Sequence, residues 1–156
     1  MKTLVFAAAL CALAGAAPAQ DNQPSPQDVA AIDQCVAAAA RTGSAAQTID
    51  ACVGLLSANC PDQTTLGLVE CIQREHGAWD AWLNAWWKPM KARAQAAGDW
   101  PRLLASQRRW ISDRDSECRR AYEAGEDGSI RYIWAAECQR DLTARRAVEF
   151  YYTLYK

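Results

Sequence analysis

The 156-residue chain holds a single histidine, which excludes any metal site built from several imidazoles. It has no C-x-x-C pair, so neither a thioredoxin-type dithiol nor a haem-attachment motif is present. No glycine-rich segment resembles a phosphate-binding loop. No stretch keeps the apolar–polar alternation of a half-buried strand. After residue 19 no apolar run approaches the ~20 residues that a membrane span needs. Charge of one sign is lacking too. The formal net charge is −1 and the isoelectric point about 5.8, which argues against a nucleic-acid partner. What remains is one domain's length of chain, 51% hydrophobic and 22% charged, with seven cysteines and seven tryptophans. That balance excludes disordered and collagen-like chains.

Residues 1–19 read as a secretory signal. Lys2 is its basic end, Leu4 to Ala14 its apolar run, and Ala17-Pro18-Ala19 its cleavage site, with the cut before Gln20. The run is too short for a retained anchor. Cys11 follows Leu10, a poor match to a lipoprotein signal, so it is expected to leave with the leader. Six cysteines remain: Cys35, Cys52, Cys60, Cys71, Cys118 and Cys138. Export into the periplasm or beyond puts them in an oxidising compartment, where an even number implies disulfides. Spacing alone leaves all fifteen pairings open. No cofactor or metal is expected, and no membrane span after cleavage.

The order of helix signals predicts an all-α fold. Residues 20–25 form a polar, disordered lead. Ser25 with Pro26 starts a first helix that runs to about Arg41. Ser44 and Gln47 have capping-box spacing and start a second. A third begins near Thr64 or Thr65, and Pro89 must kink it or end it at Lys88. Gly98 closes that segment. Asp99 is expected to cap a fourth helix to about Tyr122, and Ser129 a last one to about Leu154, across the loop Gly125–Gly128. The expected architecture is a disulfide-stapled bundle of three main helices plus a short N-terminal helical hairpin over 26–59.

Charge divides along the chain. Residues 20–80 hold eight acids and two bases, whereas 81–156 hold ten acids and fourteen bases. In the fourth helix Leu104, Gln107, Ile111, Arg114 and Cys118 share one face. In the last, Cys138, Leu142, Arg146 and Phe150 recur every four residues with Thr143 beside them. Arg114 and Arg146 therefore point inward from apolar stripes or snorkel to the rim. An inward guanidinium needs acceptors, and Asp80 and Asn84 on the third helix are the candidates.

The segment Gln107-Arg108-Arg109-Trp110-Ile111-Ser112-Asp113-Arg114-Asp115-Ser116-Glu117-Cys118 resembles the Q-x-x-W-I-x-x-R-D-x-x-C signature of the LprI-like lysozyme inhibitor family. Gly128-Ser129 before Cys138, and Leu142-Thr143 before Arg146, fit its ending. Upstream, Cys60, Cys71 and Asp80 to Asn84 look like its cysteine pair and D-x-x-L-N segment. The resemblance covers roughly Cys60 to Phe150, within an expected domain over 60–156. Asp113 departs from it, standing where an aromatic is usual, and the Cys35/Cys52 hairpin is an addition. The resemblance implies that Cys118 pairs with Cys138 and Cys60 with Cys71, leaving Cys35 with Cys52. The expected structural polar face is Asp80, Asn84, Gln107, Arg114, Asp115, Thr143 and Arg146.

The tryptophans Trp79, Trp82, Trp86 and Trp87 exceed what one narrow seam can bury. Trp82 and Trp87 are therefore candidates for partner binding, as is the loop Gly125, Glu126, Asp127, Gly128 and Ser129. Asp113, Asp115 and Glu117 lie on one helix. Glycosidase carboxylates must instead flank a bond from two sides of a cleft, so no enzyme is expected. His76 reads as structural, mid-helix between Ile72 and Trp79. The family implies a partner, lysozyme. The alternative is a non-inhibitory envelope module that binds another protein.

Overall fold

The computed structural model describes residues 23–155. The expected leader, and residues 20–22 of the expected lead, lie outside them. Ser25 caps α1 (Pro26–Ala39) through a capping box: its hydroxyl accepts the Asp28 N–H, and the Asp28 carboxylate accepts the Ser25 N–H. Ser44 and Gln47 do the same for α2 (Ala45–Cys52). Thr64 caps α3 (Thr65–Ala96) through the Gly67 N–H. The helix continues through Pro89 rather than stopping at Lys88. Met90 is buried one residue beyond, and its packing holds the helix together where the proline lacks an N–H. At the far end Gly98, at φ +72°, closes a Schellman turn. Its N–H reaches Gln95 O, and the Asp99 N–H reaches Ala94 O.

α4 (Trp100–Ala124) and α5 (Ile130–Tyr155) complete an all-α bundle with no strand among the described residues. Asp99 sits at the N-cap position of α4 but makes no cap bond there. Its carboxylate is taken by Arg102 instead, at 2.6 Å.

Long-range bonds set the helix directions. Thr65 meets Ser129 and Arg93 meets Thr153, so α3 and α5 run parallel. Gln107 meets Arg146 and Cys118 is joined to Cys138, so α4 and α5 are antiparallel. Ile32 and Val36 of α1, Cys52 of α2, Trp79, Trp82 and Leu83 of α3, and Ala144, Val148 and Phe150 of α5 share one core. The N-terminal hairpin is thus part of the same packing unit. Disulfides join Cys35 to Cys52, Cys60 to Cys71 and Cys118 to Cys138. Closing loops of this size stabilises a fold by ~2–4 kcal/mol each. The Asp28 carboxylate also receives a bidentate pair from Arg74, at 2.9 and 2.7 Å, which binds α1 to α3. Burial pushes that carboxyl up. The Arg74 and Ser25 bonds outweigh burial and hold it below its ordinary range.

Among the described residues the one fully buried ionisable side chain is Glu75, on α3. Oε1 accepts the N–H of Gly54 at 2.6 Å and the indole N–H of Trp79 at 3.2 Å. Oε2 accepts the N–H groups of Leu56 and Ser57 and the Ser57 hydroxyl, at 3.2, 2.9 and 2.7 Å. The segment after α2 has no helix to satisfy its amides, and this carboxylate does so.

Two sequence expectations fail in the core. Trp82 is 3% exposed, not a surface residue. α1 covers it: its indole N–H donates to Asp33 at 3.1 Å, and its ring stacks on Tyr151. On α4 it is Trp110 that packs against the core, while Ile111 is 41% exposed. α4 lies mainly along α5, so its inward stripe is narrow: Gln107, Trp110, Arg114 and Cys118 lie on it, and of the expected face only Ile111 turns out.

Candidate functional site

The α4–α5 hairpin has a polar seam and an exposed tip. In the seam, Trp110 lies between two guanidiniums, with Arg114 5.0 Å and Arg146 5.9 Å from its ring centre. Arg146 also sits 4.6 Å from the Phe150 ring. Its Nε donates to Gln107 Oε1 at 3.1 Å, its Nη1 to Glu149 at 2.7 Å and its Nη2 to Ser106 Oγ at 3.3 Å. The Arg146 side chain is only 12% exposed, and that of Arg114 17%.

Arg114 does not bond to the third helix as expected. Its Nε and Nη2 donate to Asp115 Oδ1, at 3.0 and 2.9 Å, and Nη1 reaches the buried Thr143 hydroxyl at 3.5 Å. Asp80 and Asn84 instead bond each other, at 2.9 Å. The side chain next in sequence meets the guanidinium at less conformational cost than one across the bundle. Both arginines are thus inward and largely satisfied within the hairpin.

His76 faces the same region. Its Nε2 is buried without a hydrogen-bond partner. Burial pushes the imidazole pKa down, the Arg114 charge pushes it further, and Asp80 opposes weakly. The unfolded chain therefore binds a proton near pH 6.5 that the folded chain resists. Stability is expected to fall as pH drops below about 6.5, with a slope of at most ~1.4 kcal/mol per pH unit. Urea titrations between neutral and mildly acid pH check this. A His76→Gln variant whose stability keeps the same slope would contradict it.

The tip is the five residues from Gly125 to Ser129. Glu126, Asp127, Gly128 and Ser129 are all exposed. Glu126 adopts φ +46°, a left-handed conformation that costs a non-glycine residue energy. At Gly125 a Cβ would come within 2.6 Å of the Arg131 Cβ, so only glycine fits that approach. Arg131 holds the loop from behind. It donates to the Glu126 carbonyl at 2.7 Å and lies 4.9 and 5.3 Å from the Tyr122 and Tyr132 rings. The neighbouring phenols pull each other's pKa values apart, Tyr122 up and Tyr132 down, with Arg131 favouring the ionised form of both. A cleft of about 230 Å³ opens beside these rings, lined by Val69, Gln73, His76 and Gln139 among others.

The candidate partner-binding residues therefore do not form one surface. Trp82 is in the core. Trp87 is half-buried between Trp100 and Phe150, in the opposite half of the bundle from the tip. Among the described residues no cluster of three or more His, Cys, Asp or Glu side chains is suited to a metal ion. No described helix is long and apolar enough to cross a membrane. Sequence reasoning missed Glu75. Its signal was an acid three residues after Ile72 and four before Trp79, on the most apolar stripe of the chain.

The family model described as lysozyme inhibitor LprI matches residues 57–150, which take in α3, α4 and most of α5. No curated protein and no solved structure matches the chain.

Proposed function

The chain belongs to the lysozyme inhibitor LprI family, and on that premise we propose that it is an exported protein that binds a lysozyme and blocks it with the Gly125–Ser129 tip. The observation that carries this reading is the family match, which contains the whole tip and the seam behind it. Lysozyme works from a cleft between two carboxyl groups. A blocking protein needs a narrow element that enters such a cleft without losing its shape. The tip is narrow, and it is braced by Arg131 and by the Cys118–Cys138 bond. Pre-organisation of this kind lowers the ordering cost of binding. The Arg114 and Arg146 guanidiniums are committed to the seam, which leaves the tip as the better contact surface. The three disulfides suit the periplasm or the exterior.

The processed chain, added to a lysozyme clearing a suspension of bacterial cell walls, is expected to slow clearing in proportion to its concentration and to saturate. Full activity at a large molar excess of folded chain would contradict the proposal. It would favour the alternative, an envelope module that binds another protein.

A further inference from the structure

The end of the bundle away from the tip has its own chemistry. Between Asp80 and Asp113 the only acid is Asp99, while Lys88, Lys91, Arg93, Arg102, Arg108 and Arg109 are all exposed. The turn at Gly98 folds α3 back into α4, so these six charges lie on one end of one helical hairpin. A groove of about 520 Å³ opens there. Met90, Ala94 and Leu103 give it apolar walls, and Arg93, Arg102 and Ser106 line it with donors. Arg93 spends a donor on the Thr153 carbonyl, and Arg102 one on Asp99, which neutralises the only acid in the groove. An arginine carries five N–H donors, so both retain capacity for an anion. Aromatic rings flank the charges. The Lys91 ammonium lies 5.2 Å from the Trp100 ring, which packs on Trp87, and Tyr155 is 59% exposed against Trp86.

We propose that this basic end binds the surface of an anionic phospholipid bilayer, with Arg93 and Arg102 taking phosphate headgroups and Lys88, Lys91 and Arg109 drawing the bundle to the surface. Basic residues interleaved with Trp and Tyr suit the headgroup region, where a charge and an amphipathic ring are both satisfied. A shallow groove with apolar walls and cationic donors suits the boundary between headgroup and acyl chain. The opposite end carries the opposite bias, since residues 113–131 hold six acids and four bases. Helix α4, with 25 residues, separates the ends by about 37 Å. An anionic surface therefore attracts one end and repels the other. Docking in this orientation points the Gly125–Ser129 tip away from the membrane. The membrane contact itself does not depend on what the tip binds.

Co-sedimentation of the processed chain with vesicles tests this without any lysozyme. Binding to phosphatidylglycerol-containing vesicles is expected to exceed binding to pure phosphatidylcholine by about tenfold or more, and to be reversed by salt. The triple variant Lys88→Glu, Lys91→Glu and Arg109→Glu, checked for native circular dichroism, should lose that binding. The double variant Arg119→Glu and Arg120→Glu, at the other end of α4, should keep it. Equal binding to both vesicle types would overturn the proposal. So would unchanged binding by the triple variant, or loss in both variants alike. Capture by soluble polyglutamate or polyphosphate with none by vesicles would overturn it too, and would assign the patch to an acidic polymer.

Discussion

Replacing Glu75 with alanine is expected to lower the unfolding free energy by about 3–5 kcal/mol. Five donors converge on this fully buried carboxylate, and three of them are backbone N–H groups of Gly54, Leu56 and Ser57. Without the carboxylate these amides lose the side-chain acceptor that holds the segment on α3. Glutamine has nearly the same shape and does not rescue the site. Each carboxylate oxygen accepts at least two donors, so whichever way the amide turns, its NH₂ faces N–H groups that it cannot accept. Two measurements check this. The denaturant midpoint should fall steeply in both Glu75→Ala and Glu75→Gln. Amide exchange at Gly54, Leu56 and Ser57 should speed up even in the folded fraction. A Glu75→Gln protein within about 1 kcal/mol of the natural chain would mean that the carboxylate is not the anchor of that segment.

Arg114→Met is expected to cost less, about 1–3 kcal/mol, through lost charge-assisted bonds and the lost ring contact. The stem is kept, and the partner left behind, Asp115, is 49% exposed and regains water. Only the Thr143 hydroxyl stays buried, and its bond to Arg114 was long, at 3.5 Å. The variant also has a signature that mere loss of packing would lack. Arg114 helps to hold the His76 pKa down, so removing it should let that pKa rise. The chain has one histidine, so a proton NMR titration follows it without ambiguity. A lower midpoint together with a raised imidazole pKa fits the seam described. An unchanged His76 titration would place Arg114 away from it.

What was legible in the sequence was mostly local. Ser25 with Pro26, Ser44 with Gln47, and Gly98 are decided within one helical turn, and each reads directly as a start or a stop. Helical period puts Arg146 on the apolar stripe of the last helix but leaves inward and rim placements open, and its bond to Gln107 is seen only in the structure. What failed needed knowledge of a third element. Trp82 reads as surplus aromatic surface until α1 is seen to cover it through Asp33. Ile111 and Trp110 are adjacent, and only the line of contact with α5 decides which turns inward. Asp80 and Asn84 are polar residues on a helix that neighbours Arg114, but Asp115 meets the same guanidinium first. Glu75 was hidden because its partners are backbone amides, which carry no signature in sequence.

The central claim separates two roles in one hairpin: the seam holds it, and the tip contacts lysozyme. Inhibition of lysozyme by Asp127→Trp and Arg114→Met, each scaled to its folded fraction, tests that division most directly. Asp127 is fully solvent-exposed, so its replacement should change stability by no more than about 0.5 kcal/mol. The added bulk at the tip should nonetheless weaken inhibition about tenfold or more, a loss of ~1.4 kcal/mol. Arg114→Met should inhibit as the natural chain does, per folded molecule. Full inhibition by Asp127→Trp together with lost inhibition by a stable Arg114→Met would contradict the account and move the binding surface to the seam.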